Sequence, residues 1–503
     1  MKFDQTLLNF SAEENSFSDV WTLEDAFKGV QIFGGIGSGK TSGSGRTLAT
    51  AFLSNGFGGL VLCAKPTERE DWENLAKQTG RTKDLKIFCE PKLDGSGNII
   101  SPEYFFNPLD YEASREGGGE TFNLVNLFMQ IYQMGRVISG EGLSSGGERF
   151  WDNALKRCLS RMIDFLRLAD EPVTVANMYR LISEALNKKE IEFLNELREN
   201  NDEDSFEKIS EWAKFNFYVH CLVRVMNSYS KLKKENGTDK GLIESKRKQI
   251  QIVKNYFERE FANLAEKTKT IIVESFLGLA EPFQTGILEK YFSGKTNITP
   301  EETFEQGKII ILDFPIKNYL EAGVYAQGLF KLLWQQAVER RKYKEDNIPV
   351  FLWVDESHNF LTSYDQIFQT TARSAGVSTV FLSQNISNYY VAIGGNNSTA
   401  RVNSLLGNLS TKIFHANNDY VTNEWAANTI GKTWVKPKSF TVGESQSFGM
   451  SEQFNWELLP NFFTTLKNGG RKNHGYVEAV IVTSRNWSNG KNFLIRSFQQ
   501  SKR

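Results

Sequence analysis

Residues 30–33 (VQIF), 60–64 (LVLCA) and 85–88 (LKIF) are short β-rich runs set between helical and turn segments. They read as strands, the first two buried, as in a mainly parallel α/β sheet. Between residues 113 and 288 such runs vanish, and long helix-period windows replace them at 148–168, 173–186 and 241–270. From residue 289 strand and helix alternate again: 308–314, a helix over 321–344, then 349–355, 378–383 and 411–415. The pattern predicts an α/β core built from 26–112 and 289–503, interrupted by an inserted all-α domain at 113–288, behind a lead segment at 1–25.

A chain of 503 residues exceeds the needs of one ordinary core, which agrees with that division. Its 40% hydrophobic and 24% charged residues are globular in kind. The 38 Phe residues are spread along the whole chain and read as core filling. A net charge of −1 excludes a protein that holds nucleic acid by its overall field, so any DNA contact is local. Lys432, Lys436 and Lys438, or Lys467, Arg471 and Lys472, are candidates for such contacts or ordinary basic turns. The four cysteines form no CxxC pair and read as reduced thiols, not as a disulfide frame or a zinc site. The N-terminus lacks a basic region followed by an apolar run, and no apolar stretch nears the roughly 20 residues that span a bilayer, so a soluble, cytoplasmic chain without a direct membrane span is expected. Within the helical block, 188–211 is acidic and 231–254 basic: two solvated helix faces, or a docking surface for a charged partner. The glycine- and serine-rich stretch 139–147 reads as a loop leading into a helix near Glu148.

The chemistry is concentrated in two places. Gly34, Gly35, Ile36, Gly37, Ser38, Gly39, Lys40 and Thr41 satisfy GxxxxGK[ST] between a strand and a helical run at 46–53, with Ser42 next in the chain. Glycines let the backbone wrap phosphates, Lys40 reaches the β- and γ-phosphates of ATP, and Thr41 supplies a Mg²⁺ ligand. The apolar run 349–354 ends in Asp355 and Glu356, which suit a water-mediated hold on Mg²⁺ and polarisation of the attacking water, respectively. Farther on, Gln384 ends a strand where a side chain can meet the γ-phosphate, and Arg373, eleven residues earlier, is either an arginine finger for a neighbouring subunit or a surface arginine. His358 reads as a turn residue, and His220, His415 and His474 carry no chemistry.

The order of these motifs resembles the type IV secretion coupling proteins, the TraG/TraD group of conjugative DNA-transfer ATPases in the FtsK and HerA superfamily. The likeness rests on GGIGSGKT at 34–41, FNPL at 106–109, RFW at 149–151, GKIIILD at 307–313, VDE at 354–356 and ARSAGVSTVFLSQ at 372–384. It implies a RecA-like P-loop NTPase core using ATP and Mg²⁺, with Lys40, Thr41, Asp355, Glu356 and Gln384 in the roles above and Arg373 as the arginine acting in trans. It further implies a homo-hexamer threading single-stranded DNA without regard to sequence. The all-α domain would meet relaxase or relaxosome proteins and type IV secretion subunits. Two departures stand out. No transmembrane helices precede the motor, so attachment to the inner membrane would be peripheral, through partners; and CAKPTE at 63–68 follows the family pattern loosely, so no role is carried over to Lys65 or Glu68. A HerA-like DNA pump in repair or defence and a nucleotide-gated protein-docking platform are the alternative readings.

Overall fold

The computed structural model describes residues 2–11, 16–115, 118–138, 149–200, 202–235, 239–395, 397–435, 438–441, 447–450 and 452–500. The expected loop at 139–147, Glu148 and Lys436 lie outside them. Two compact units divide the chain, one holding Met1–Glu103 and Pro300–Arg503, the other running between Tyr104 and Thr299.

The first unit is built on a nine-stranded sheet: β1 (Val30–Phe33), β2 (Gly58–Leu62), β3 (Leu85–Phe88), β4 (Ile309–Leu312), β5 (Val350–Val354), β6 (Val377–Ser383), β7 (Thr411–His415), β8 (Tyr476–Val482) and β9 (Phe493–Gln499). Their order is β9-β8-β7-β1-β6-β5-β2-β4-β3, parallel from β7 to β3, with β8 and β9 antiparallel at the other edge. Strands β1, β2, β4, β5 and β6 are buried along their whole length, so their apolar runs lack the alternation of a half-exposed strand. β2 begins at Gly58, earlier than the apolar run at 60–64, because only glycine fits there: a Cβ on Gly59 would lie 2.5 Å from the Phe351 ring.

The helical stretch Ile316–Arg340, kinked at Leu320, is buried along most of its length and carries three buried polar side chains, all hydrogen-bonded although Gln335 Oε1 itself has no partner. Gln327 accepts from the Cys63 amide at 2.7 Å and donates to the Cys63 and Phe314 carbonyls. Lys331 meets the Asp365 carboxylate at 2.7 Å, and Gln335 donates to the same carboxylate at 2.9 Å. The lead segment joins this unit: Thr6–Asn9 pairs antiparallel with Val20–Thr22, and Trp21 is buried with its indole N–H on Thr411 Oγ1 at 3.1 Å.

The second unit is helical and wider than the expected 113–288, because its entry and exit strands of chain are tied together. The Phe106 amide donates to the Tyr291 carbonyl at 2.8 Å, and the Asn107 side-chain amide donates to Ser293 and Gly294. The window at 241–270 is not one helix: Lys240–Lys254 passes into a π-turn at Asn255–Glu260, and a new helix starts at Glu266. The wider turn brings the adjacent Tyr256 and Phe257 into the core together, where Phe257 packs on Phe165, Tyr218 and Phe261. Among the described residues no single helix is long and apolar enough to cross a membrane.

Candidate functional site

Strand register brings the distant motifs to one edge. Phe33 stands beside Ser383, Phe381 beside Val354, and Val354 beside Leu62, so the chain segments that follow β1, β6, β5 and β2 emerge together at their C-terminal ends. The loop after β1 is held down by two backbone bonds, Gly34 to the Ser383 carbonyl and Gly35 to the Ala416 carbonyl. Gly37 and Gly39 have positive φ of 74° and 85°, and a Cβ on Gly39 would lie 2.5 Å from Val477, so the loop can take this path only with glycine there. Ile36 stands out at its tip, 89% exposed. After Lys40 the chain enters a π-turn, Thr41–Gly45, before the regular helix Arg46–Ser54. Gln500 donates to Ser42 Oγ at 3.0 Å, and Ser44 Oγ lies 2.7 Å from His415 Nε2.

At the end of β5, Asp355 and Glu356 are both buried. Glu356 has a left-handed backbone (φ 45°), a conformation non-glycine residues seldom hold, which separates the two adjacent carboxylates. A buried chain supports this turn, from Gln31 through Tyr389 to Ser357 and the Leu382 carbonyl. Thr41 Oγ1 donates to Asp355 Oδ2 at 3.1 Å; Lys40 Nζ lies 3.6 Å from Glu356 Oε1, and the Gln384 amide donates to that oxygen at 3.4 Å. Burial alone would raise the Glu356 pKa, but the Lys40 and Lys65 ammonium groups outweigh it and hold the carboxyl below its ordinary value. The His358 pKa is lowered by burial; its ring sits 3.3 Å from Ser383 Oγ, bracing the turn as its sequence position suggested.

These groups line a cavity of about 760 Å³ together with Gly35, Trp72 and Gln500. Ser38 Oγ and Glu356 Oε2 are buried without a hydrogen-bond partner, and the hydroxyl–carboxylate pair of Thr41 and Asp355 offers hard oxygen donors. A nucleotide's phosphates and Mg²⁺ fit these donors: phosphate oxygens accept from loop amides and Lys40, and Mg²⁺ takes few protein ligands, all oxygen.

Of the sequence-derived candidates, Lys40, Thr41, Asp355, Glu356 and Gln384 converge. Arg373 does not join them. It precedes β6 at the sheet's N-terminal edge, a seven-residue strand or about 20 Å away, where it pairs with Glu24 at 2.9 Å and is 59% exposed on its side chain. Two residues given no role from sequence stand inside the site. Lys65 Nζ lies 3.0 Å from Glu356 Oε1 and 3.4 Å from Asp355 Oδ2, and Glu68 is buried beside them with Oε2 on the Ala64 amide at 2.8 Å. The signal that locates them is position, three and six residues past a buried strand next to β5, and not motif.

Residues 349–460 match the family model described as the TraM recognition site of TraD and TraG. No curated protein sequence matches the chain. Among solved structures, the unbound bacterial conjugative coupling protein TrwBdeltaN70 superposes with a TM-score of 0.59 at 10% identity, covering 97% of this chain and 89% of that one. Plasmid coupling protein TrwB in complex with ADP and Mg²⁺ gives 0.56 at 11% identity over 96% and 87% of the two chains. TrwB in complex with a non-hydrolysable ATP analogue gives 0.57 at 11% identity over 100% and 96%. The fold is thus the RecA-like P-loop NTPase fold with an all-α domain. Residues 349–460 are thus similar to the TraM recognition site of TraD and TraG, and the chain shares its fold with the conjugative coupling protein TrwB.

Proposed function

We propose that this chain is an ATP-hydrolysing DNA translocase acting as the coupling protein of conjugative DNA transfer. The observation that carries the reading is the meeting of Lys40, Thr41, Asp355, Glu356 and Gln384 at one sheet edge, around donors that suit Mg²⁺ and a triphosphate. The TraM-recognition match and the coupling-protein fold support the pathway. The solved TrwB complexes with ADP and Mg²⁺ and with an ATP analogue support the cofactors.

Lys40 and the loop amides bind the phosphates. Thr41 and Asp355 hold Mg²⁺, which when bound neutralises charge on the leaving phosphates. Glu356, kept ionised by its lysine neighbours, orients the attacking water, and Gln384 senses the terminal phosphate through the same carboxylate. Arg373, far from its own site and largely exposed, is proposed to reach a neighbour's nucleotide in a homo-hexamer. The α/β unit forms the motor, while the helical insertion meets relaxase, relaxosome or secretion proteins. DNA is gripped through its phosphates, without sequence preference. The chain is cytoplasmic and meets the inner membrane through partners.

The test is ATP hydrolysis by the purified protein, with and without single- and double-stranded DNA at low salt. DNA-stimulated turnover that falls by at least about 100-fold in both Lys40→Ala and Glu356→Gln supports the motor. Hydrolysis indifferent to DNA at every salt concentration sinks translocation and favours the docking platform.

A further inference from the structure

Three carboxylates and two ammonium groups share the site, and one of the ammonium groups occupies an unexpected place. Asp355 Oδ2 is met by Thr41 Oγ1 at 3.1 Å and by Lys65 Nζ at 3.4 Å. Lys65 also lies 3.0 Å from Glu356 Oε1 and 3.9 Å from Glu68 Oε1. Glu68 Oε1 and Glu356 Oε2, on residues 7% and 6% exposed, have no hydrogen-bond partner and rely on nearby cations. The Lys65 backbone is anchored on its N-terminal side, since Gln327 holds both polar groups of Cys63 and Glu68 holds the Ala64 amide. Its side chain, 40% exposed, is the movable part.

We propose that Lys65 is the resident cation of this site: without a metal its ammonium neutralises Asp355 and Glu356, and it leaves Asp355 when a divalent cation is held there. The inference rests on the reading of Thr41 and Asp355 as the Mg²⁺ donors. Its physical basis is competition. A divalent cation held at Thr41 and, through water, at Asp355 would stand close to the Lys65 ammonium, where the two positive charges repel, and buried carboxylates stripped of their counter-ion are costly. Lys65 thereby suppresses binding of free Mg²⁺ while keeping the empty site folded, so the metal enters with nucleotide, whose phosphates accept the released ammonium.

Thermal denaturation of the full chain without nucleotide, in EDTA and in MgCl₂, tests this. Lys65→Met is expected to melt at least about 3 °C below the parent in EDTA and to recover in Mg²⁺ alone, while the parent and Lys65→Arg respond little to Mg²⁺. Lys65→Met/Asp355→Asn, with one less carboxylate, should recover in EDTA and ignore Mg²⁺. A Lys65→Met protein that yields no folded material in EDTA, yet is folded when purified in Mg²⁺, counts for the proposal. Parent-like melting of Lys65→Met in EDTA, failure of Mg²⁺ to restore it, or equal Mg²⁺ stabilisation of parent and variant overturns it. The underlying site is checked separately: ADP with Mg²⁺ should stabilise the parent and not Lys40→Ala, and absence of that shift refutes the nucleotide site itself.

Discussion

The two units treat charge in opposite ways. In the α/β unit, Lys40, Glu68, Lys331, Asp355, Glu356 and Asp365 are all buried, and each carboxylate has an ammonium group against it. In the helical unit the core is aliphatic and aromatic, and most ion pairs lie on exposed faces, such as Arg180 with Glu184 or Lys214 with Glu211. Arg198, forked onto Glu258 at 3.0 and 3.1 Å, and the buried Glu112 with Arg115 against it are more enclosed exceptions. The described charged residues of the acidic run 188–211 and the basic run 231–254 lie mostly on these exposed faces. Burying a charge is expensive without a partner, so a cluster of buried charges marks either a site or a strut, whereas exposed charge marks neither by itself.

The contrast can be broken most sharply at the strut. Lys331→Met leaves Asp365 buried at 0% side-chain exposure without its counter-ion, and a loss of about 3–5 kcal/mol in chemical denaturation is expected. If Lys331→Met unfolds with the parent, buried pairing is not what holds the helix Ile316–Arg340 to the segment carrying Asp365.

A second test uses acid. Burial drives the His415 pKa down to about 3, and its ring is seated on Ser44 beside the phosphate loop. The unfolded chain binds the proton at its ordinary pKa near 6.5, so the folded state loses stability as pH falls from about 6.5 towards 3, by as much as a few kcal/mol. The slope of unfolding free energy against pH should flatten in that window in His415→Gln relative to the parent; an unchanged slope removes His415 from the acid response.

The smallest effect belongs to the helical surface. Arg180→Ala, which deletes a 3.7 Å pair with Glu184 on a half-exposed arginine, should move the Tm by no more than about 2 °C, and less at high salt. A larger drop would point to the Arg180 guanidinium stacked 4.2 Å from the Phe217 ring as the contact that matters.

Sequence pattern alone located seven of the sheet strands' cores from short apolar-rich runs, as at 60–62, 309–312 and 350–354. It did not find β8 and β9, although Ala479–Val482 is an apolar run, nor the lead ribbon at Thr6–Asn9 and Val20–Thr22, whose short runs carry no helix or strand period of their own. The π-turns at Thr41–Gly45 and Asn255–Glu260 were equally invisible, since a helix window reads the same whether or not one residue is inserted.

What the sequence by itself determined is local chemistry: a glycine-rich loop with Lys40 and Thr41 between strand and helix, two acids ending a buried strand, and a helical block interrupting α/β alternation. These are legible because each depends on neighbours in the chain. Tertiary structure decided which residues meet. Strand order put β2 beside β5, so Lys65 reached Asp355 and Glu356 across some 290 positions of sequence, while Arg373, only seventeen residues from Glu356, was carried to the opposite end of the sheet. Proximity in a parallel sheet follows register and strand direction, and neither is written in the spacing of the residues that it brings together.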